Sequence, residues 1–182
     1  IFGQAVGDAL GLSTEFMSKQ EVDQFYPNGI EDYSQIVQDD HRRRWQRGDW
    51  TDDTDMMLCI LDSFVACQKV DILDIARRFK KWMMNGGMGI GRHTYCLDDE
   101  KSMGYTLRTL GAALWAYWHA TSYKEGILKI VLSGGDADTN VAVAGAILGA
   151  KFGICHIPEE WKDGLLYASM LHNKVQEFYA MV

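Results

Sequence analysis

The chain has only 2 prolines in 182 residues, so little in it forbids long helices, and its 18 glycines are left to break them. It has 4 cysteines, Cys59, Cys67, Cys96 and Cys155, but no C-x-x-C pair and no disulfide framework. Buried free thiols in a reducing, cytoplasmic compartment are the expectation, with Cys59 and Cys67 inside an apolar helical pattern. The 5 histidines are scattered without zinc-ligand spacing. No apolar run reaches the ~18 residues of a membrane span, and no signal peptide is visible. The basic surface that nonspecific nucleic-acid binding requires is also missing, since the formal net charge is -7. Period-two alternation is absent except across 127–132, so strands have almost no support.

What remains is a chain with 47% hydrophobic and 24% charged residues, the balance of a globular protein with a core. It reads as a single all-α domain over 1–182. Helical spacing covers 1–12, then 22–48 reads as a long polar connection around the Pro27-Asn28-Gly29 turn. A helix after Trp50 places Met56, Met57, Ile60, Leu61, Phe64 and Val65 on one face, with Thr51 to Thr54 supplying its N-terminal caps. The next, 71–84, turns Ile72, Ile75, Ala76, Phe79 and Trp82 inward and stops at Asn85-Gly86-Gly87. Further helices are expected over 105–119 and 124–132. The small-residue run VAVAGAILGAKFG forms another, suited to close backbone approach.

Two segments echo each other. WTDDTD and SGGDADTN each set two acids and a threonine just before an apolar helix. Capping explains either one alone, because Asp and Thr accept hydrogen bonds from free helix N–H groups. One cap needs one side chain, however, and each segment offers three or four oxygen donors. Brought together, the two would form a cage of hard oxygens suited to Mg²⁺ or Mn²⁺ rather than zinc. DADT also spells the D-x-D-x-T signature of dehalogenase-type phosphohydrolases. That fold needs an early motif and a parallel sheet, and here the motif leads straight into a helix.

GQAVGDALGLSTEF, WTDDTDMMLCILDS and LSGGDADTNVAVAGAILGAKFG, in this order, resemble the ADP-ribosylglycohydrolase family. HIPEEWKDGL resembles its closing segment. The resemblance implies an orthogonal helical bundle with two Mg²⁺ (or Mn²⁺) ions in a cleft. It implies ligands from Thr51, Asp52 and Asp53 on one side and from Asp136, Asp138 and Thr139 on the other. Glu15 matches an acid near the metals, and Glu15 or Asp53 is expected to assist proton transfer as the catalytic acid or base. Asp8 is expected to tie loops together, and Gly134 and Gly135 to turn the backbone beneath the metals. Gly87, Gly89, Ile90 and Gly91, in NGGMGIGRHT, and Gly135 are expected to meet the substrate through backbone N–H groups. The implied reaction is hydrolysis of the glycosidic bond between ADP-ribose and a protein or other acceptor, through an oxocarbenium-like state.

Relatives usually carry a long helical section after the glycine-rich loop. Here Cys96-Leu97-Asp98-Asp99-Glu100 runs almost directly into MGYTLRTLGAALWAYWHA, so the middle reads as shortened. A non-catalytic relative with a structural or ADP-ribose-binding role is the alternative. Smaller expectations are that His41 to Arg44 form a solvated loop and that Trp45 and Trp50 support the metal loop. Trp115, Tyr117, Trp118 and Tyr123 are expected to pack inside. Met83, Met84 and Met88 are expected to fill core.

Overall fold

The computed structural model describes residues 1–87 and 103–181, and all the regular structure among them is helical. In chain order the helices are α1 (Phe2–Gly11), α2 (Lys19–Phe25), α3 (Asp52–Cys67), α4 (Ile72–Met84) and α5 (Met103–His119). They continue as α6 (Tyr123–Val131), α7 (Ala137–Phe152), α8 (Glu159–Asp163) and α9 (Ala168–Tyr179). The expected all-α class holds, and 127–131 is helical rather than extended, with Leu132 as the C-cap.

Local chemistry starts several helices. Ser18 and Glu21 form a reciprocal capping box on α2, Asp71 accepts from the Asp74 N–H on α4, and Ser122 accepts from the Glu125 N–H on α6. The expectation of a long polar connection over 22–48 missed α2. It also missed that Tyr26, Ile30, Tyr33 and Ile36 from this stretch enter the core. Two polar anchors hold this segment: the Tyr33 hydroxyl donates to the Trp161 carbonyl (2.9 Å), and the Trp161 indole N–H donates to the Glu31 carbonyl (2.7 Å).

The core centres on α1, α6 and α7, with Val6, Leu10, Ile127, Val131, Val141 and Leu148 all fully enclosed. The most extensive helix pair is α1 with α7. Its seam is backbone on backbone, because Gly3, Gly7 and Gly11 of α1 face Gly145, Val141 and the Ala137–Asp138 turn of α7. At Gly11 a methyl group would stand 2.6 Å from both the Ala137 carbonyl oxygen and the Asp138 Cα. The expected close approach of the small-residue helix is thus real, and its partner is the first helix of the chain.

Other packing expectations need correction. On α3, Leu58 and Leu61 are buried while Ile60 is exposed, so the inward face is rotated from the one expected. On α4, Ile72 and Ala76 are exposed, and only Ile75, Phe79 and Trp82 are half-buried, because α4 packs chiefly against α3 alone. Trp115, Tyr117 and Trp118 are exposed on α5, whose alanines 113 and 116 face the core, whereas Tyr123 is buried as expected. Cys59 and Cys67 are half-buried, not buried, and Met84 is exposed. Cys96 and Met88 lie outside the described residues.

Candidate active site

The site is assembled by a side chain from α1 that starts α3. Asp8 is completely buried. One carboxylate oxygen accepts from the Thr51 N–H (3.1 Å) and the Thr51 hydroxyl (2.8 Å), and the other accepts from the Thr54 N–H (3.0 Å). The N-cap amide of Thr51 and the first-turn amide of Thr54 are therefore satisfied by a residue of α1. This corrects the expectation that Thr51 to Thr54 cap their own helix, since Thr51 stands at the N-cap with no side-chain cap bond. It matches the expected tethering role of Asp8. Asp136 likewise stands at the N-cap of α7 without a side-chain cap bond. Neither acidic segment spends its N-cap side chain on its own helix start.

The two helix starts meet. Asp53 lies within hydrogen-bonding reach of Thr139, and its carboxylate faces the charges of Asp136 and Glu15. Asp138 faces Glu15, Asp8 and Asp53, and Asp52 faces Asp53, Glu15 and Asp55. The structure thus brings Glu15, Asp52, Asp53, Asp136, Asp138 and Thr139 to one locus, with Thr51 beneath them. Burial and like charge raise the carboxyl groups of Asp8, Asp52, Asp53 and Asp138. Burial and then Asp53 push Asp8 up to about 8. Burial and then Asp53 bring Asp52 to about 7. Burial, with Asp136 and Glu15 adding to it, brings Asp53 to about 6 against the Thr139 contact. Asp138 is raised strongly, by burial first and by Glu15, Asp8 and Asp53 after it.

Glu15 is held from outside the cluster. Its carboxylate meets His41 Nε2 at 2.6 Å, and the His41 ring lies between Phe16 and Trp45, with ring centres 5.1 and 5.4 Å away. Arg42, expected in a solvated loop, is buried instead. Its guanidinium donates to the Leu12 and Ser13 carbonyls (both 2.9 Å) and to that of Glu15, fixing the turn after α1. The sequence offered no local signal for these contacts, because His41 is 26 residues from Glu15 and Arg42 27. Opposite, the Gly135 N–H donates to Met17 (2.9 Å) and the Phe16 N–H to Gly135 (2.6 Å), stitching the two loops together. Gly134 and Gly135 both take positive φ, +70° and +77°, as the expected tight turn demands.

Of the residues expected to meet substrate, Gly135 lies in this stitched loop. Gly87 lines a cleft of about 470 Å³ together with Trp45, Trp50, Trp82 and Thr51. Gly89, Ile90 and Gly91 fall outside the described residues. Trp50 supports the start of α3 as expected: its indole N–H donates to Asp55 (2.9 Å), and it is almost fully enclosed.

The donor set suits a hard divalent cation. It is all oxygen, anionic, and placed at two helix N-termini. One observation points further: Asp138 Oδ1 is buried and has no hydrogen-bond partner. A buried carboxylate oxygen left unpaired is costly unless something positive reaches it. Among the described residues, no three His, Cys, Asp or Glu side chains already stand as a finished metal cage. Asp52, Asp53, Asp136 and Thr139 are half-buried, whereas Asp138 is buried.

Comparison with known proteins bears on this geometry. The family model for ADP-ribosylglycohydrolase matches residues 1–100 and 94–181. The chain is 36% identical over 84 residues to the ADP-ribosylarginine hydrolase Tri1 of Serratia proteamaculans (strain 568), covering 46% of this chain and 23% of that protein. It therefore matches less than a quarter of that relative's length. It is 23% identical to the ADP-ribosyl-[dinitrogen reductase] glycohydrolase of Rhodospirillum rubrum over 269 aligned positions, 90% of this chain and 87% of that protein. Those 269 positions exceed the 182 residues here, so the relative has a long stretch without counterpart in this chain. A solved "ADP-ribosylglycohydrolase-related protein complex" shares the fold, with a TM-score of 0.71 at 21% identity over 98% of this chain and 95% of that one. The motif order, the helical bundle and a family match that spans both halves agree: this chain belongs to the ADP-ribosylglycohydrolase family.

Proposed function

We propose that this chain is a metal-dependent glycohydrolase that cleaves the bond between ADP-ribose and a protein side chain or other acceptor, reversing ADP-ribosylation. The observation that carries this reading is the meeting of two acidic helix starts around the unpaired Asp138 oxygen. Thr51, Asp52, Asp53, Asp136, Asp138 and Thr139 would hold two Mg²⁺ or Mn²⁺ ions. When bound, such ions polarise ribose hydroxyls and lower the pKa of bound water.

The chain's own residues supply the rest. Asp8 fixes the start of α3, so the Asp52 and Asp53 carboxyl groups project from a rigid turn. Asp53, at the same locus, would assist proton transfer as a carboxylate. Glu15, placed by His41 and by the Arg42-held turn, sets a second carboxylate against the same locus. Positive charge developing at an anomeric carbon is stabilised by such carboxylates.

The family match gives the general chemistry, and two relatives named for ADP-ribosylated arginine and dinitrogenase reductase favour an ADP-ribosylated protein as substrate. No described helix is long and apolar enough to cross a membrane, and a cytoplasmic site of action fits the free thiols. A second reading, a non-catalytic relative that binds ADP-ribose or serves a structural role, rests on the family match splitting at 94–100. That is where the expected shortening falls. The test is release of ADP-ribose from arginine-, serine- and nucleic-acid-linked substrates with Mg²⁺ or Mn²⁺. Release that is lost in Asp138→Ala supports hydrolysis. Metal binding without release from any linkage overturns it in favour of the second reading.

A further inference from the structure

Arg44, in the segment expected to be a solvated loop, is exposed, yet its head group is held at three points. The guanidinium lies 4.8 Å from the ring centre of Trp45, its Nε donates to the His41 carbonyl (2.9 Å), and its Nη2 meets His41 Nδ1. The last contact decides the place of a proton. A guanidinium has N–H donors and no acceptor, so Nη2 can only donate, and Nδ1 must offer its lone pair. The one ring proton of His41 is then on Nε2, which meets the Glu15 carboxylate at 2.6 Å. We propose that Arg44 is a positioning residue for Glu15, acting through His41 by holding its ring in the tautomer that donates from Nε2.

The surroundings fix the ring in space. His41 is half-buried, packed against Phe16 and Trp45, and its backbone N–H donates to Asp39 (3.0 Å). Phe16 directly follows Glu15 and takes a φ of +59°, a strained conformation for a bulky side chain. Glu15 is thus held twice: its carboxylate is bonded by His41, and the next residue packs on the same ring. Packing can set where the ring lies, but it cannot choose which nitrogen bears hydrogen. Arg44 makes that choice. Without a donor at Nδ1, that nitrogen is free to take a proton, and the carboxylate beside Nε2 favours a charged ring. An imidazolium would hold Glu15 by charge as well as by hydrogen bond and offset the negative charge the site uses, whereas the neutral ring only orients it. The effect on rate rests on the hydrolase reading; the tautomer itself is read without substrate.

The full chain is isotopically labelled at its histidine nitrogens, and long-range proton–nitrogen spectra are recorded at neutral pH. His41→Gln assigns the His41 signals by their loss. The parent is expected to show an unprotonated Nδ1 and a protonated Nε2. Arg44→Met keeps an apolar stem over Trp45 but has no donor, so Nδ1 is expected to gain a proton. With an ADP-ribosylated substrate, kcat is expected to fall about tenfold in Arg44→Met with KM unchanged, as for loss of one positioning hydrogen bond. His41→Gln keeps an N–H donor in place of Nε2, and in that background Arg44→Met is expected to have no further effect. A parent His41 with its proton on Nδ1, or His41 signals unchanged in Arg44→Met, overturns the assignment. So does an active parent whose kcat is unaffected by Arg44→Met, or falls equally with and without His41. A parent that hydrolyses no linkage refutes the hydrolase reading alone, and the spectra still decide whether Arg44 sets the His41 tautomer.

Discussion

Gly11→Ala tests the link between helix packing and the site. The added methyl group would stand 2.6 Å from the Ala137 carbonyl oxygen and from Asp138 Cα, where ordinary contact begins near 3.4 Å. The start of α7 must therefore retreat from α1 by about 0.8 Å, and the obstructing atoms are backbone, which cannot rotate aside. Overpacking of this kind costs up to about 3 kcal/mol, and the better helix propensity of Ala returns about 1 kcal/mol. The net loss is about 2 kcal/mol, or a Tm lower by about 4–8 °C for a chain of this size. Gly111→Ala is the control: it is exposed within α5 and a methyl group there meets nothing within 4 Å. It should raise Tm by about 1–4 °C. Differential scanning calorimetry in EDTA measures both. Because Asp138 is itself displaced, Gly11→Ala should also blunt the rise in Tm caused by Mg²⁺. A Gly11→Ala chain as stable as the parent would refute the tight seam. A destabilised chain with a full Mg²⁺ response would refute its role in placing Asp138.

The remaining predictions concern charge. Asp138→Ala should abolish Mg²⁺ binding, seen by titration calorimetry, while keeping the helical circular dichroism; undiminished binding refutes the ligand assignment. In EDTA, stability should fall as pH rises from 5 to 8. Asp53, Asp52 and Asp8 are raised to about 6, 7 and 8 in the fold against about 4 unfolded, so the native state holds the extra protons and loses them across that window. Saturating Mg²⁺ should reverse that slope, and metal-free stability that climbs over the same range would contradict the repulsive cluster. Asp8→Ala should cost about 2–3 kcal/mol, from three lost hydrogen bonds offset by removal of a buried carboxyl. Its mark is faster amide exchange at Thr51 and Thr54, and unchanged exchange at both would sink the capping role.

Much of this was legible in the residues, for reasons that differ by element. The acid-rich starts of α3 and α7 were visible because both precede apolar helical runs, and the small-residue seam showed in the spacing of α7's glycines and alanines. Helix α2 was missed although Ser18 and Glu21 spell a capping box, because Val22 is its one buried residue and leaves no apolar stripe. The face of α3 was misjudged because propensity cannot say which neighbours surround a helix. There the neighbours are α4, α1, α7 and α9. The roles of His41 and Arg42 depend on contacts across 26 and 27 residues, to which local pattern is blind.

The α1–α7 seam also dictates when the site comes into being. Its two halves are separated by more than a hundred residues of sequence, yet Asp8 on one helix sets α3 and Asp138 on the other completes the cluster. During synthesis the first acidic segment leaves the ribosome long before its counterpart, and contacts of such high sequence separation form late. Until α7 emerges and docks, the chain exposes a glycine-lined groove on α1 and a cluster without its deepest carboxylate. The cluster is therefore assembled in one step, when α7 docks on α1, and a fragment ending before α7 holds the first acidic segment without the second.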